Sequence, residues 1–260
     1  MDKLAGVGPV TPIVHDWEWW SRFLQMEYYA SPGERGTWKR AVRGIVTDMN
    51  LKPGERFLDL GSGSGELVIG MAEQGLDALG VDLYPSLVEE SFRKGVARGV
   101  APRFVAADMF AWEPEDSFDA IISINTSFGY GSDSDNRSLI DSAYRWLAPD
   151  GRLYLDVLVA DEAEAFGLWK DQLSGGILQV ENDWEAERST MVSIPWWIDG
   201  SDGTIHTADR AEEVRIYSVE EIEGMLRAAG FRFRRLPKGA GRRNRNESGV
   251  NSTATWLALR

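Results

Sequence analysis

The segment Phe57-Leu58-Asp59-Leu60-Gly61-Ser62-Gly63-Ser64-Gly65 constrains this chain more than any other. A short apolar run ends in an acid, three glycines alternate with small residues, and Glu66 to Glu73 then repeats apolar residues at helical spacing. That pattern predicts a strand, a tight turn and a helix. Glycines there let main chain approach a ligand closely, and the amides at the start of the helix suit a nucleotide-like group. A purely structural turn tolerates the same glycines, so the context has to decide.

That context is a series of short strands alternating with helices. The pattern predicts strands at Arg56 to Leu60, Ala78 to Val81, Arg103 to Ala106, Phe118 to Ile124 and Arg152 to Val157. Helices are expected at Glu66 to Glu73, Ser86 to Val96 and Arg137 to Leu147, the last stopping at Pro149-Asp150-Gly151. Short connections between alternating elements imply a parallel, doubly wound sheet.

Both ends differ from this core. Trp17, Trp20, Leu24 and Tyr28 recur at helical spacing beside a second stripe of Trp19, Phe23 and Met26, which predicts a helix buried on two sides or roofing a pocket. A second helix carries Trp38, Ala41, Val42, Ile45, Val46 and Met49. After Leu158 the alternation breaks. A helix is expected over Asp161 to Leu173, followed by period-two segments at Ile194 to Ile198 and Ile205 to Ile216, which suggest an antiparallel insertion. Ser218 and Glu221 form a capping box, Gly230 closes that helix, and strands Phe231 to Leu236 and Thr253 to Leu259 end the chain. The reading is one domain over 1–260. It has a helical lid (12–50), a cofactor-binding core (55–157), a substrate cap (158–217) and the C-terminal part of the sheet (218–260).

A dinucleotide fingerprint from Gly61 and Gly63 would need glycine or alanine at position 66, where this chain has Glu66. The third glycine falls at Gly65 instead, and two acids follow in register. Asp82, after the second strand and before Leu83, lies where a carboxylate accepts hydrogen bonds from ribose hydroxyls. Asp108, before Met109, follows the third strand. Residues 55 to 157 resemble the core of class I S-adenosylmethionine-dependent methyltransferases throughout. The resemblance rests on the glycine segment, Val81-Asp82-Leu83, Ala107-Asp108-Met109, Phe118-Asp119-Ala120-Ile121-Ile122 and Leu147-Ala148-Pro149-Asp150-Gly151. Asn125-Thr126-Ser127-Phe128-Gly129-Tyr130, the insertion and Tyr217 to Ile222 look like the small-molecule members that methylate glycine or amino sugars. Asp150 stands where that family usually has a second glycine.

The resemblance implies an α/β, Rossmann-like fold with a seven-stranded, mostly parallel sheet. It implies S-adenosylmethionine as cofactor and S-adenosylhomocysteine as product. Asp59, Gly61, Ser62, Gly63, Asp82, Leu83, Asp108, Met109 and Asn125 would hold the cofactor, Asp108 at the adenine amino group. Arg35, or Arg40 or Arg43 in its stead, would take the cofactor carboxylate. The acceptor would approach over Asn125 to Tyr130, against Tyr28, Trp20, Phe128, Trp196 or Trp197, with Arg243 of the basic loop as an anion partner. Adjacent strand residues point to opposite faces, so only one of Trp196 and Trp197 can face a pocket. His206, in an expected cap strand, is a candidate general base, His15, just before the tryptophan helix, is an alternative, and Tyr29 and Tyr130 are candidates for aligning the donor.

Net charge is −13, which argues against a nucleic-acid partner and suits an amine-bearing acceptor. There is no cysteine, hence no disulfide or thiolate metal site, and no metal is expected. No apolar run is long enough to span a bilayer, and a cytoplasmic protein is the simple expectation. The lid could also pair two copies into a homodimer. The leading function is N-methylation of a small amine in specialised metabolism. The alternatives are O- or C-methylation of a small anionic metabolite, or a non-catalytic cofactor-binding protein.

Overall fold

Two of the five residues of strand β2 (Arg56–Leu60), Phe57 and Leu58, are wholly buried and face opposite sides, which a central strand of a two-faced parallel sheet requires. Around it lie β3 (Asp77–Asp82), β4 (Arg103–Ala106), β5 (Phe118–Ser123) and β6 (Leu147–Leu158), all parallel. With β12 (Arg232–Arg235) and β13 (Thr253–Leu259) the order is β12-β13-β6-β5-β2-β3-β4. Only β13 runs against its neighbours. The computed structural model describes residues 11–28, 32–125, 127–160, 169–173, 175–237 and 253–260.

Helices cover both faces. Helix α2 (Pro32–Asp48) and α3 (Glu66–Glu73) pack Val42, Ile45, Leu67 and Met71 on Phe57, Ala120 and Ile122. On the other face α5 (Asp133–Trp146) and α6 (Val219–Ala229) pack Leu139, Ile140, Ile222 and Leu226 on Leu58, Leu60 and Ile121. Helix α4 (Pro85–Ala97) lies against α3 and β4. The expected capping box of α6 is formed, with Glu221 N bonded to Ser218 Oγ at 3.1 Å, and Gly230 ends the helix at φ 99°. Asp150 takes a φ of 63°, which explains why a glycine suits that position.

The cap is a second sheet. Strands β7 (Trp169–Leu173), β8 (Gly176–Glu185) and β9 (Thr190–Asp199) form an antiparallel meander. β10 (Ile205–Ala208) and β11 (Glu212–Arg215) share one edge of β9. Sequence periodicity is corrected in three places. The helix expected up to Leu173 is a strand from Trp169, because pairing with Gly176 to Val180 overrides local helical spacing; residues 161–168 lie outside those described. The single segment Ile205 to Ile216 is broken at 209–211 into two strands. The tryptophan helix is α-helical only as α1 (Trp17–Phe23) and continues as a π-helical turn over Leu24–Tyr28. Ahead of it, β1 (Ile13–His15) adds a parallel strand to β10. Helix α2, grouped with the lid on sequence, packs on the sheet instead, because its Trp38–Met49 stripe has the β2 face to bury. Among the described residues no helix is long and apolar enough to cross a membrane.

Candidate active site

Strand order reverses between β2 and β5: β3 and β4 lie on one side of β2, while β5 and β6 lie on the other. Such a switch point opens a crevice at the carboxyl ends of the strands. The crevice here is a small cleft, partly open to solvent and lined by Asp59, Gly61 to Ser64, Ile124, Asn125 and Ser127, with Gln25 and Trp38 beside them. The glycine segment thus floors it from β2, and the loop after β5 walls it.

The glycines are spent on close approach. Gly61 and Gly63 have φ of 77° and 49°, and a Cβ on them would sit 2.6 Å from Ser127 and 2.8 Å from Gln25. Ser127 Oγ donates to the carbonyls of Gly61 (3.2 Å) and Ile124 (2.8 Å), locking the two loops together. Asn125 holds a φ of 53°, a left-handed conformation that asparagine tolerates better than most side chains. Asp82 accepts from Gly63 N at 2.8 Å and Tyr84 N at 3.1 Å. Burial raises its carboxyl above the usual range, and those amides pull it back. Asp59, under the loop, is 3% exposed. Burial first, and the Asp82 charge second, push its carboxyl up to about 8. Ser62 Oγ is buried with no hydrogen-bond partner among the described residues.

The other expected cofactor residues spread along the neighbouring strand ends. Leu83 is 56% exposed. Asp108 caps its own turn, accepting from Phe110 N at 2.9 Å, and Met109 lies half-buried next to it. The amide of Ala107 donates to Asp82 O at 2.9 Å, so the Asp82 and Asp108 loops are joined. Arg35 lies in α2, but its side chain is outside what is described, as are those of Tyr28, Tyr29 and Arg243.

The aromatic candidates divide by environment. Trp20 is fully buried and Trp197 nearly so, packed with Trp17 and Leu178 between α1 and the cap sheet. Trp196 points to the opposite face of β9 from Trp197, as strand alternation demands. Phe128 is core, tilted against Tyr217 with centroids 5.6 Å apart. Tyr130 is 45% exposed and hydrogen-bonds Glu212. His206 is not among the cleft-lining side chains; its Nδ1 lies 2.9 Å from His15 Nε2 on the β1–β10 edge.

Two residues enter that the sequence did not single out. Gln25, from the π-helical turn, accepts at Oε1 from Ser64 N at 3.1 Å and so lies directly on the glycine loop. Glu212 sits on β11 within a run of charged residues, and only the register with β9 reveals that it points inward. Burial pushes its carboxyl up to about 7, with the Tyr130 hydrogen bond opposing.

Comparison with known proteins then decides the family. Residues 34–236 match the family model of the methyltransferase domain. The chain belongs to the methyltransferase-domain family. Its fold is that of the S-adenosylmethionine-dependent methyltransferases, and that cofactor is the one the family uses. A demethylmenaquinone methyltransferase from Thermus thermophilus is 33% identical over 134 residues, half of this chain and 58% of that relative. The chain therefore spans under two thirds of that relative's length. An S-adenosylmethionine-dependent methyltransferase from Clostridium acetobutylicum superposes with a TM-score of 0.73 at 17% identity, covering 94% of this chain and 98% of the other. A sugar N-methyltransferase from Streptoalloteichus sp. superposes at 0.69 and 18% identity, covering 100% and 98%. This methyltransferase fits its cofactor by its own geometry: a glycine cradle that a Cβ would fill, a carboxylate on the rim and a helix start with no side-chain cap.

Proposed function

We propose that this methyltransferase transfers a methyl group from S-adenosylmethionine to the amine nitrogen of a small polar metabolite. The observation that carries the reading is the cap: an antiparallel sheet joined to the loop that walls the switch-point cleft, Arg215 N donating to Gly129 O at 2.9 Å, in a chain matched end to end by a sugar N-methyltransferase. The net charge of −13 supports a cationic acceptor rather than a nucleic acid. Specialised metabolism in the cytoplasm is the setting such an acceptor suits.

The bound cofactor supplies an electrophilic methyl on a sulfonium. The chain's own residues do the rest. The close-approaching main chain of Gly61 to Ser64 and the carboxylate of Asp82 would hold the cofactor, with Asp59 beneath and Asp108 at the next strand end. The loop Asn125 to Tyr130 would present the acceptor in line, and the cap would exclude water. Alignment of this kind lowers a barrier by ~7–11 kcal/mol in well-oriented systems.

A specific feature favours methylation of an anionic acceptor as a second reading. Strand β12 runs parallel to β6, and Thr253 of β13 pairs with Leu158 at the carboxyl end of β6. The described strands that flank Arg243 in sequence therefore end and begin at the ligand end of the sheet; Arg243 itself lies outside the described residues. Calorimetric titration with S-adenosylhomocysteine and NAD, followed by turnover with amino sugars, phosphoethanolamine and hydroxy acids, separates these readings. Nucleoside binding without NAD binding and methylated amines are expected. Methylated hydroxy acids alone would establish the second reading, and binding without any turnover a non-catalytic protein.

A further inference from the structure

The inner face of the cap sheet carries a polar row between two apolar ones, Trp197 with Leu178 on one side and Met191 with Trp184 and Val214 on the other. In antiparallel pairs, residues directly opposite share a face. Trp197 pairs with Leu178 and His206, and it packs on Phe23 with centroids 5.0 Å apart, so this face looks toward α1 and the core. Four residues along β9, on the same face, Ser193 pairs with Asn182 and Glu212. Ser193 Oγ donates to Asn182 Oδ1 at 2.8 Å. A polar patch of Glu212, Asn182 and Ser193 is therefore set about 13 Å from His206, at ~3.3 Å per strand residue.

That patch is fastened to the wall of the cleft. Arg215 N donates to Gly129 O at 2.9 Å, and a Cβ on Gly129 would come within 2.5 Å of Arg215 O, so β11 and the loop after β5 touch main chain to main chain. From this loop Tyr130 reaches up to hydrogen-bond Glu212. From the other side, the end of β3, Tyr84 feels the Glu212 charge, and Arg210 acts on that phenol in the opposite sense. Glu213, next along β11, points outward to Arg188. Glu212 is thus bonded to Tyr130 on the loop after β5 and within electrostatic reach of Tyr84 beyond the end of β3.

Resting on the amine reading above, we propose that Glu212 is a catalytic residue: its carboxylate pairs with the acceptor's ammonium group and takes one proton from it. The balance is simple. One N–H bond breaks, its proton goes to Glu212, and the freed lone pair forms the N–CH3 bond. The C–S bond breaks with its electron pair left on sulfur, and the protonated Glu212 releases its proton to solvent. A half-buried carboxyl raised to about 7 suits a base that must reload each turnover. Asn182 and Ser193 lie beside it as hydrogen-bonding partners for a polar acceptor.

The test uses the full chain saturated with S-adenosylhomocysteine and titrated with cyclohexylamine, a ring-bearing ammonium that stays protonated from pH 6 to 8, like other alkylamines of pKa ~10.4. Wild type should bind it more tightly as pH rises through about 7. Glu212→Gln should bind it at least tenfold more weakly without that pH dependence, at unchanged S-adenosylhomocysteine affinity; tenfold corresponds to ~1.4 kcal/mol. Tyr130→Phe, which keeps the carboxylate but removes the phenol, should move the midpoint upward. A Glu212→Gln variant that binds the probe as wild type does, or methylates amines with the same acidic limb, overturns the proposal. A wild type that methylates no amine overturns the amine reading instead, whatever the probe does.

Discussion

His15 Nε2 and His206 Nδ1 meet at 2.9 Å, across 191 residues of sequence. Both rings stack with Trp19, His15 at a centroid distance of 3.6 Å. One nitrogen donates and the other accepts, which requires at least one neutral ring. Burial and the neighbouring His206 lower the His15 pKa, with Asp16 opposing. The pair ties β1 to β10, together with the Asp209 N to His15 O bond at 2.8 Å.

The pair predicts pH-dependent docking of β1. The docked form resists protonation, whereas the free segment takes up protons near 6.5. Docking is therefore complete above that value and weakens as pH falls below it. Hydrogen exchange at Ile13 to His15 should accelerate on acidification, and His206→Ala should accelerate it at neutral pH by up to about tenfold, the worth of one net hydrogen bond. His206→Ala should leave the acidic limb of turnover intact. Loss of that limb in His206→Ala would instead make this histidine the base.

Asp82 should dominate cofactor affinity. It already fastens Gly63 and Tyr84, so its removal loosens the glycine loop as well as deleting a ribose partner. Charge-assisted bonds contribute ~1.5–3 kcal/mol each, so Asp82→Ala should weaken S-adenosylhomocysteine by about a hundredfold in calorimetry. An unchanged Kd would place the nucleoside elsewhere.

The core was legible because its signals are local. Glu66 to Glu73, Arg103 to Ala106 and Thr253 to Leu259 begin and end where the periodicity puts them. The glycine turn and Ser218 cap announce themselves for the same reason, since each is written in adjacent residues. The cap was not, because its strands are defined by partners. Trp169 to Leu173 reads as helix until Gly176 to Val180 is beside it, and β1 is three residues long. Glu212 and Glu213 look alike in sequence; only pairing with Ser193 and Val192 turns one inward and the other toward Arg188.

Gly129 is where loop and cap touch, and it should not accept a side chain. Its φ of 118° is hostile to L residues, and the clashing atom at 2.5 Å is the Arg215 backbone oxygen, which cannot rotate away. Gly129→Ala should destabilise the protein by roughly 1–3 kcal/mol, the range for a strained backbone position, and detach Tyr130 from Glu212. Thermal unfolding should show a lower Tm, and S-adenosylhomocysteine affinity should change less than acceptor KM. Equal loss of both would mean that the loop serves the cofactor rather than the acceptor.

Asp59 should make stability depend on pH in an unusual sense. Its carboxyl is raised to about 8 by burial and by Asp82, whereas in an unfolded chain it titrates near 3.8. Between those values the folded protein holds a proton that the unfolded chain has released. Stability is greatest below the lower value, falls as pH climbs toward 8, and levels off above it. Asp59→Asn removes the titration, so its Tm should exceed wild type at pH 8 by about 2–4 °C per kcal/mol recovered and converge with it in acid. The same variant should bind S-adenosylhomocysteine more weakly, because the carboxyl group under the glycine loop is kept for the cofactor at a cost in stability. A Tm below wild type at every pH would show Asp59 to be a structural acceptor whose charge the fold needs.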